Sequence, residues 1–370
     1  MDVYDRLGVT KIVNAQGNVT RIGGSIMAPE VLEAMAEASR HFVSIVELNE
    51  KILQRIAGLL ETEAAMVSSG AAGGLLLAAA ACMTGSDEKK IQQLPDTTGM
   101  RDEFVVQALH RSDYNQSLRV AGGTLVEIGG PEGATEAEIA GSLGPGTAAF
   151  LYSLLPLSGV WGCGVSLERV VAIAHERGVP VIVDASVVLP PLSNLIDVPA
   201  SGADLLTFSG GKGLEGPQGT GILCGKAGLI QAAMLNSNPN HSVGRSMKVA
   251  KEEMVGLLTA VERYFTRDHE ADRRRWQAMS ERIASAVENV RGLAAEVFFW
   301  EARGIPAVRF AVDENELGLS KEELLERLMA GDPPVYLWGY RGEFCMSPNT
   351  LREGEEEIVA SALQRATCTA

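Results

Sequence analysis

The chain has 370 residues, 46% of them hydrophobic and 40 of them glycine, with a formal charge of −15. That length and composition suit a packed α/β enzyme with one large and one smaller domain, and exclude a disordered or fibrous chain. The acidic balance argues against a nucleic-acid partner, because phosphate binding relies on Lys and Arg to displace counterions.

In chain order, residues 1–28 begin MDVYDRLGVTKIVNAQGN, lack the charged-then-apolar pattern of a leader, and read as a glycine-rich arm. A helix is predicted from Pro29, with Val31, Met35 and Ala38 on one face, and a second carries Val46, Ile52, Leu53, Ile56 and Leu60. The stretch AAMVSSGAAGGLLLAAAACMTG is a short apolar run whose small residues open a long Ala/Leu helix. Its most apolar part, Leu75 to Met83, is too short to span a bilayer, so a soluble, cytoplasmic protein without a membrane partner is expected. Ser86 to Glu103 is charged, contains Pro95 and Gly99, and is predicted to be a loop.

Strand and helix signals then alternate. The predicted strands are EFVVQA (103–108), GTLVEIG (123–129), AAFLYSLL (148–155), VPVIVDA (179–185), DLLTFSG (204–210) and GTGILCG (219–225). Ser166 caps an intervening helix, with Glu168 in its first turn and Gly178 at its end. Near-continuous apolar strands alternating with helices predict a mostly parallel sheet covered on both faces. After Arg245 a long helical stretch is expected from about Lys248 to Val290, with Arg273, Arg274 and Arg275 on a solvated face. A strand through Ala307, Val308, Phe310 and Val312 follows, then a helix from the Ser320–Glu323 capping box to Gly331, a strand from Tyr336 to Met346 and a closing helix from Glu355 to Arg365. The predicted division is an arm (1–28), a large domain (29–247), and a linking helix with a small C-terminal α+β domain (248–370).

Five cysteines, Cys82, Cys163, Cys224, Cys345 and Cys368, include no Cys-x-x-Cys pair, which points to a reducing compartment and to neither zinc nor a disulfide framework. Cys82 and Cys224 read as small core residues. His41, His175, His241 and His269 have no metal-ligand spacing, and no metal is expected.

Three segments carry chemistry. In TFSGGKGLEGPQGTG, Lys212 follows a strand end in a glycine-rich turn, where a partly deprotonated amine can condense with an aldehyde and Ser209 can reach a phosphate. A Walker A loop is excluded because Gly213, not Ser or Thr, follows the lysine. In VPVIVDASVV, Asp184 ends a buried strand, and a carboxylate at that depth needs a partner such as a pyridinium nitrogen. In MVSSGAAGGLLLA, Ser69, Gly70, Ala71 and Ala72 open a helix whose free amides suit a phosphate. A phosphate loop, then a strand-end Asp, then a Lys 28 residues on is the set that pyridoxal 5'-phosphate requires.

These segments, with VNAQGNVTRIGG, LPDTTGMRDEFVVQALHRSDY and GRSMKVAKEEMVGLL, resemble the branch of fold-type I pyridoxal-phosphate enzymes that includes selenocysteine synthase and D-glucosaminate-6-phosphate ammonia-lyase. The resemblance covers roughly residues 12–260 and is nearer to the ammonia-lyase-like group, because the core pattern begins almost at Met1 and the chain is acidic. It implies the aspartate aminotransferase-like fold, a homodimer or larger homo-oligomer, and a lyase in which Lys212 holds the cofactor as a Schiff base and then removes the α-proton. The outcome would be elimination of water and ammonia from a small amino acid or amino-sugar acid. A racemase, epimerase or aldolase using the same lysine is the alternative, followed by a selenocysteine synthase-type transferase and by a non-enzymatic binding protein. His110, after the strand 103–108, is a candidate for stacking on the cofactor. Arg21 in the arm is a candidate for substrate binding, in competition with Arg245 and Arg341, and Gln218 and Thr220 lie where a bound ligand could be reached.

Overall fold

Short apolar runs cut by glycines and by capping side chains become strands joined through helices. The computed structural model describes residues 1–154, 164–339 and 344–368. Its strands are β1 (Val13–Asn14), β2 (Ala64–Ser69), β3 (Glu103–Gln107), β4 (Thr124–Ile128), β5 (Thr147–Ser153), β6 (Val181–Asp184), β7 (Leu205–Ser209), β8 (Thr220–Gly225), β9 (Leu293–Trp300), β10 (Ile305–Val312), β11 (Val335–Tyr336) and β12 (Cys345–Met346).

The larger unit, Met27–Arg267, is built on a seven-stranded sheet in the order β2-β8-β7-β6-β5-β3-β4. Strands β3 to β7 run parallel, and β8 runs antiparallel to both β7 and β2. Every residue of β5, β6 and β8 is buried, as expected for strands covered on both faces. The helix Gly70–Thr84 packs on β7 and β8, and its small residues make that contact possible. A Cβ on Gly74 would stand 2.4 Å from Thr207 Oγ1. The predicted fold class is the one observed.

The smaller unit joins Met1–Ile26 to Asp268–Ala370. Strand β1 pairs in parallel with β11, and Val13 and Ala15 enter a core with Trp276, Ile283, Phe310 and Leu363. A separate antiparallel sheet has the order β12-β10-β9. The first 26 residues are therefore more than an arm: they complete the C-terminal unit. The dividing point falls at Arg267 and not near 247, because the helix Lys251–Thr266 packs on the helices Pro29–Ala38 and Ile45–Leu59.

Other expectations are corrected locally. The single long helix to Val290 is two, broken where Asp268 accepts from the Ala271 amide and starts His269–Ala286. The expected loop after Ser86 contains a helix, Glu88–Gln93, capped by Asp87. The expected strand from Tyr336 to Met346 is reduced to β11 and β12, with residues 340–343 outside the described ones. Arg273 and Arg275 are exposed, Arg273 pairing with exposed Glu270 and Arg275 with buried Asp272. Burial pushes the thiols of Cys224, in the core, and of Cys82, partly buried against it, up to about 12, whereas Cys163 lies outside the described residues. Among the described residues, no helix is long and apolar enough to cross a membrane.

Candidate active site

The parallel strands of the larger unit bring their carboxyl ends to one edge, the place where α/β sheets bind ligands. Asp184 is the last residue of β6 and is only 2% exposed. Burial pushes its carboxyl pKa up, while hydrogen bonding from Ser186 and the charge of Lys212 pull it part of the way back. The Ser186 amide donates to Asp184 Oδ1 at 3.0 Å. The lysine and the aspartate, 28 residues apart, are thus within electrostatic reach of each other. Ser153, the β5 residue in register with Asp184, has a buried hydroxyl with no hydrogen-bond partner. Nothing local in the sequence marks Ser153; its place follows from strand register.

Lys212 is half-buried in the turn after β7. Main-chain bonds shape that turn: Gly210 N donates to Thr220 O at 2.9 Å, Gly216 N to Gly210 O at 2.8 Å, and Glu215 N to Lys212 O at 3.0 Å. A Cβ on Gly213 would meet Leu189 Cβ at 2.6 Å, so glycine at the position following the lysine is a packing requirement. Ser209 ends β7, half-buried opposite Gly221.

The helix Gly70–Thr84 starts at Gly70, whose φ of 67° is in the left-handed region. Ser68 Oγ donates to Gly70 O at 2.9 Å and Thr207 Oγ1 donates to Ala71 O at 3.3 Å, so hydroxyls from β2 and β7 fix this turn. Ser69 makes no side-chain cap, and the first-turn amides therefore have no capping oxygen from it. Strand β8 runs close beneath: a Cβ on Gly221 would lie 2.5 Å from Gly70 C and 2.7 Å from Ala71 N. Gly221→Ala is expected to destabilise the protein by about 2–4 kcal/mol, since backbone atoms cannot give way as a side chain can. Urea melts would show the loss, and cofactor uptake should weaken with it.

His110 is buried just past β3, edge-on to Tyr152 with ring centroids 4.3 Å apart. Burial drops its pKa to about 4. Gln107 Oε1 accepts from Ala134 N at 3.0 Å, which turns its Nε2 toward His110 Nδ1 in a long 3.5 Å contact. The imidazole is accordingly neutral, with its hydrogen on Nε2. An unfolded histidine titrates near 6.5. The unfolded chain thus binds more protons than the folded one between that value and about 4, and stability falls as pH drops through this window. His110→Phe should remove up to about 3 kcal/mol of that loss, read as the difference between urea midpoints at the two ends of the window.

The remaining candidates divide. Gln218 is exposed, and its side chain lies against Gly211: a Cβ there would be 2.4 Å from Gln218 Oε1. Thr220 is fully buried and its hydroxyl donates to Pro217 O at 2.7 Å, which ties it into the turn after Lys212. Arg245 is half-buried in the larger unit, Arg21 is exposed in the smaller unit, and Arg341 lies outside the described residues.

A buried carboxylate near a lysine, an orphaned buried hydroxyl and a helix start without a side-chain cap together fit the pyridinium nitrogen, polar ring edge and phosphate of pyridoxal phosphate. The comparisons agree. Residues 101–254 match the family model for aminotransferase class-V. The chain is 32% identical to D-glucosaminate-6-phosphate ammonia lyase of Salmonella typhimurium, over 98% of this chain and 97% of that one. It is 33% identical to 5'-C-glycyluridine monooxygenase-decarboxylase of a Streptomyces species (96% and 90% covered). It is 25% identical to L-seryl-tRNA(Sec) selenium transferase of Desulfomicrobium baculatum (96% and 82% covered). Among solved structures, a D-glucosaminate-6-phosphate ammonia-lyase superposes with a TM-score of 0.86 at 31% identity, covering 99% of this chain and 98% of that one. A serine palmitoyltransferase from S. paucimobilis (TM-score 0.61, 14% identity, 96% and 87% covered) shares the fold.

Proposed function

The chain belongs to the pyridoxal-phosphate enzyme family of D-glucosaminate-6-phosphate ammonia lyase, and from that premise we propose a lyase that removes water and ammonia from a small amino acid or amino-sugar acid. The observation that carries the reading is fully buried Asp184 within electrostatic reach of Lys212, in a chain related to the lyase over nearly its whole length. When bound, the cofactor supplies an electron-withdrawing ring that stabilises negative charge at the substrate's α-carbon.

The chain's own residues do the rest. Lys212 Nζ would tether the cofactor and would serve as the general base for the substrate's α-proton. Asp184 would face the ring nitrogen and favour its protonated form. Amides of Ser69, Gly70, Ala71 and Ala72, with the Ser209 hydroxyl, hold the phosphate. His110 is a neutral aromatic neighbour for the ring. Gln218 faces the substrate, and Arg21 is the proposed partner for a substrate carboxylate or phosphate. In the net reaction a β-hydroxyl leaves as water, water returns on hydrolysis, and a 2-oxo acid and ammonia are released. A homodimer or larger homo-oligomer in the cytoplasm completes the proposal.

The test is purified holoprotein with D-glucosaminate 6-phosphate and a panel of D- and L-amino acids. Ammonia and 2-oxo acid in equal amounts without oxygen uptake are expected. Chiral inversion without ammonia would replace the lyase by a racemase. Oxygen uptake with release of carbon dioxide would replace it by the chemistry of the Streptomyces relative.

A further inference from the structure

Glu215 lies three residues beyond Lys212, and its φ of 58° places it in the left-handed region. A residue with a Cβ enters that region at a cost, which is why glycine usually fills such positions. Here Gly213 and Gly216 stand nearby, yet the left-handed position itself holds glutamate.

Its carboxylate supplies the counterweight. Glu215 Oε1 accepts from Arg267 at 2.7 Å and Oε2 accepts from Arg263 at 3.0 Å. Arg263 lies in the last turn of the helix Lys251–Thr266, and Arg267 is the extended residue that ends it. Arg267 is 11% exposed and Glu215 is 22% exposed, so these pairs are better shielded than a surface bridge. Glu30 is a minor partner, 64% exposed and 3.7 Å from Arg263 Nε. The main chain closes the bracket, because Glu215 N donates to Lys212 O and Gly216 N to Gly210 O. The lysine thus sits inside a turn whose far end is pinned by one side chain to a helix of the same unit.

We propose that Glu215 is a positioning residue: through Arg263 and Arg267 it holds the Lys212 turn in its left-handed shape and so fixes the stance of Nζ beside Asp184. The proposal rests on the reading of Lys212 as the cofactor lysine.

Two full-length variants separate positioning from bulk stability. Glu215→Gly relieves the backbone cost but removes the tether, and Glu215→Gln keeps the size and the backbone cost but removes the charge. Holoprotein is titrated with pH while the visible band of the Lys212-bound cofactor is followed, and resolved protein is timed as it regains that band from added cofactor. The expected result is a Gly variant that melts at or above the wild-type temperature. Both variants should nonetheless move the titration midpoint by about half a pH unit or more, and should take up cofactor about tenfold more slowly. Midpoints and uptake rates equal to wild type, or changes that only follow lost thermal stability, overturn the proposal. Borohydride reduction of wild type with peptide mapping is the separate control. A mark on any lysine other than Lys212 overturns the cofactor reading itself, and this proposal with it.

Discussion

Lys212→Ala is expected to lower turnover by about 10³-fold or more, since it deletes both the cofactor tether and the general base. The visible band of lysine-bound cofactor should vanish, and borohydride should no longer attach cofactor to the chain. The fold should survive. Lys212 is half-buried, and the turn around it is held by main-chain bonds among Gly210, Glu215, Gly216 and Thr220 and by the packing of Gly213 on Leu189. Truncation there should cost no more than about 1 kcal/mol. Retention of the band in a folded Ala variant would mean that another amine holds the cofactor.

Asp184→Asn should move stability and activity in opposite directions. Burial raises the carboxyl pKa, so its stabilising contribution is fully present below the ordinary carboxylate value and is lost as pH rises through the higher folded value. At neutral pH the cofactor-free protein carries the cost of burying an ionisable carboxyl, and an isosteric amide that does not titrate removes it. The cofactor-free Asn variant should be more stable than wild type at neutral pH by on the order of 1–3 kcal/mol, with the gap closing in acid. The loaded enzyme should lose about 10²-fold or more in α-proton exchange, because a neutral amide no longer keeps the ring nitrogen protonated. Urea melts at two pH values and deuterium exchange at the α-carbon read the two effects separately. A cofactor-free Asn variant weaker than wild type at neutral pH would contradict the account of Asp184 as a carboxyl penalised by its burial.

Strand-end chemistry was legible because it is local. VDAS, SGGK and SSGAAGG each place small residues and one reactive or anion-binding group at a carboxyl strand end or helix start, and the six strands predicted between residues 103 and 225 lie within two residues of those observed. What escaped depends on neighbours distant in sequence. The bond from the Thr220 hydroxyl to the Pro217 carbonyl has no mark in the sequence. Ser153 matters only through its register with Asp184. Glu215 meets arginines 48 and 52 residues away. The helix Ala227–Leu235 was missed because AGLIQAAML is apolar nearly throughout and shows no polar face. The strand β9 was missed because its partner, β10, is needed to make sense of its half-buried pattern.

The pairing of Val13 with Val335 and of Asn14 with Tyr336 has a consequence for biosynthesis. Val13 and Asn14 have no strand to join until Val335 and Tyr336 have left the ribosome, whereas the contiguous segment Met27–Arg267 contains its complete sheet before then. A nascent chain halted before Val335 should therefore leave the segment around Val13 open to protease while the seven-stranded unit already resists digestion, and cutting out either β1 or β11 should injure the same unit.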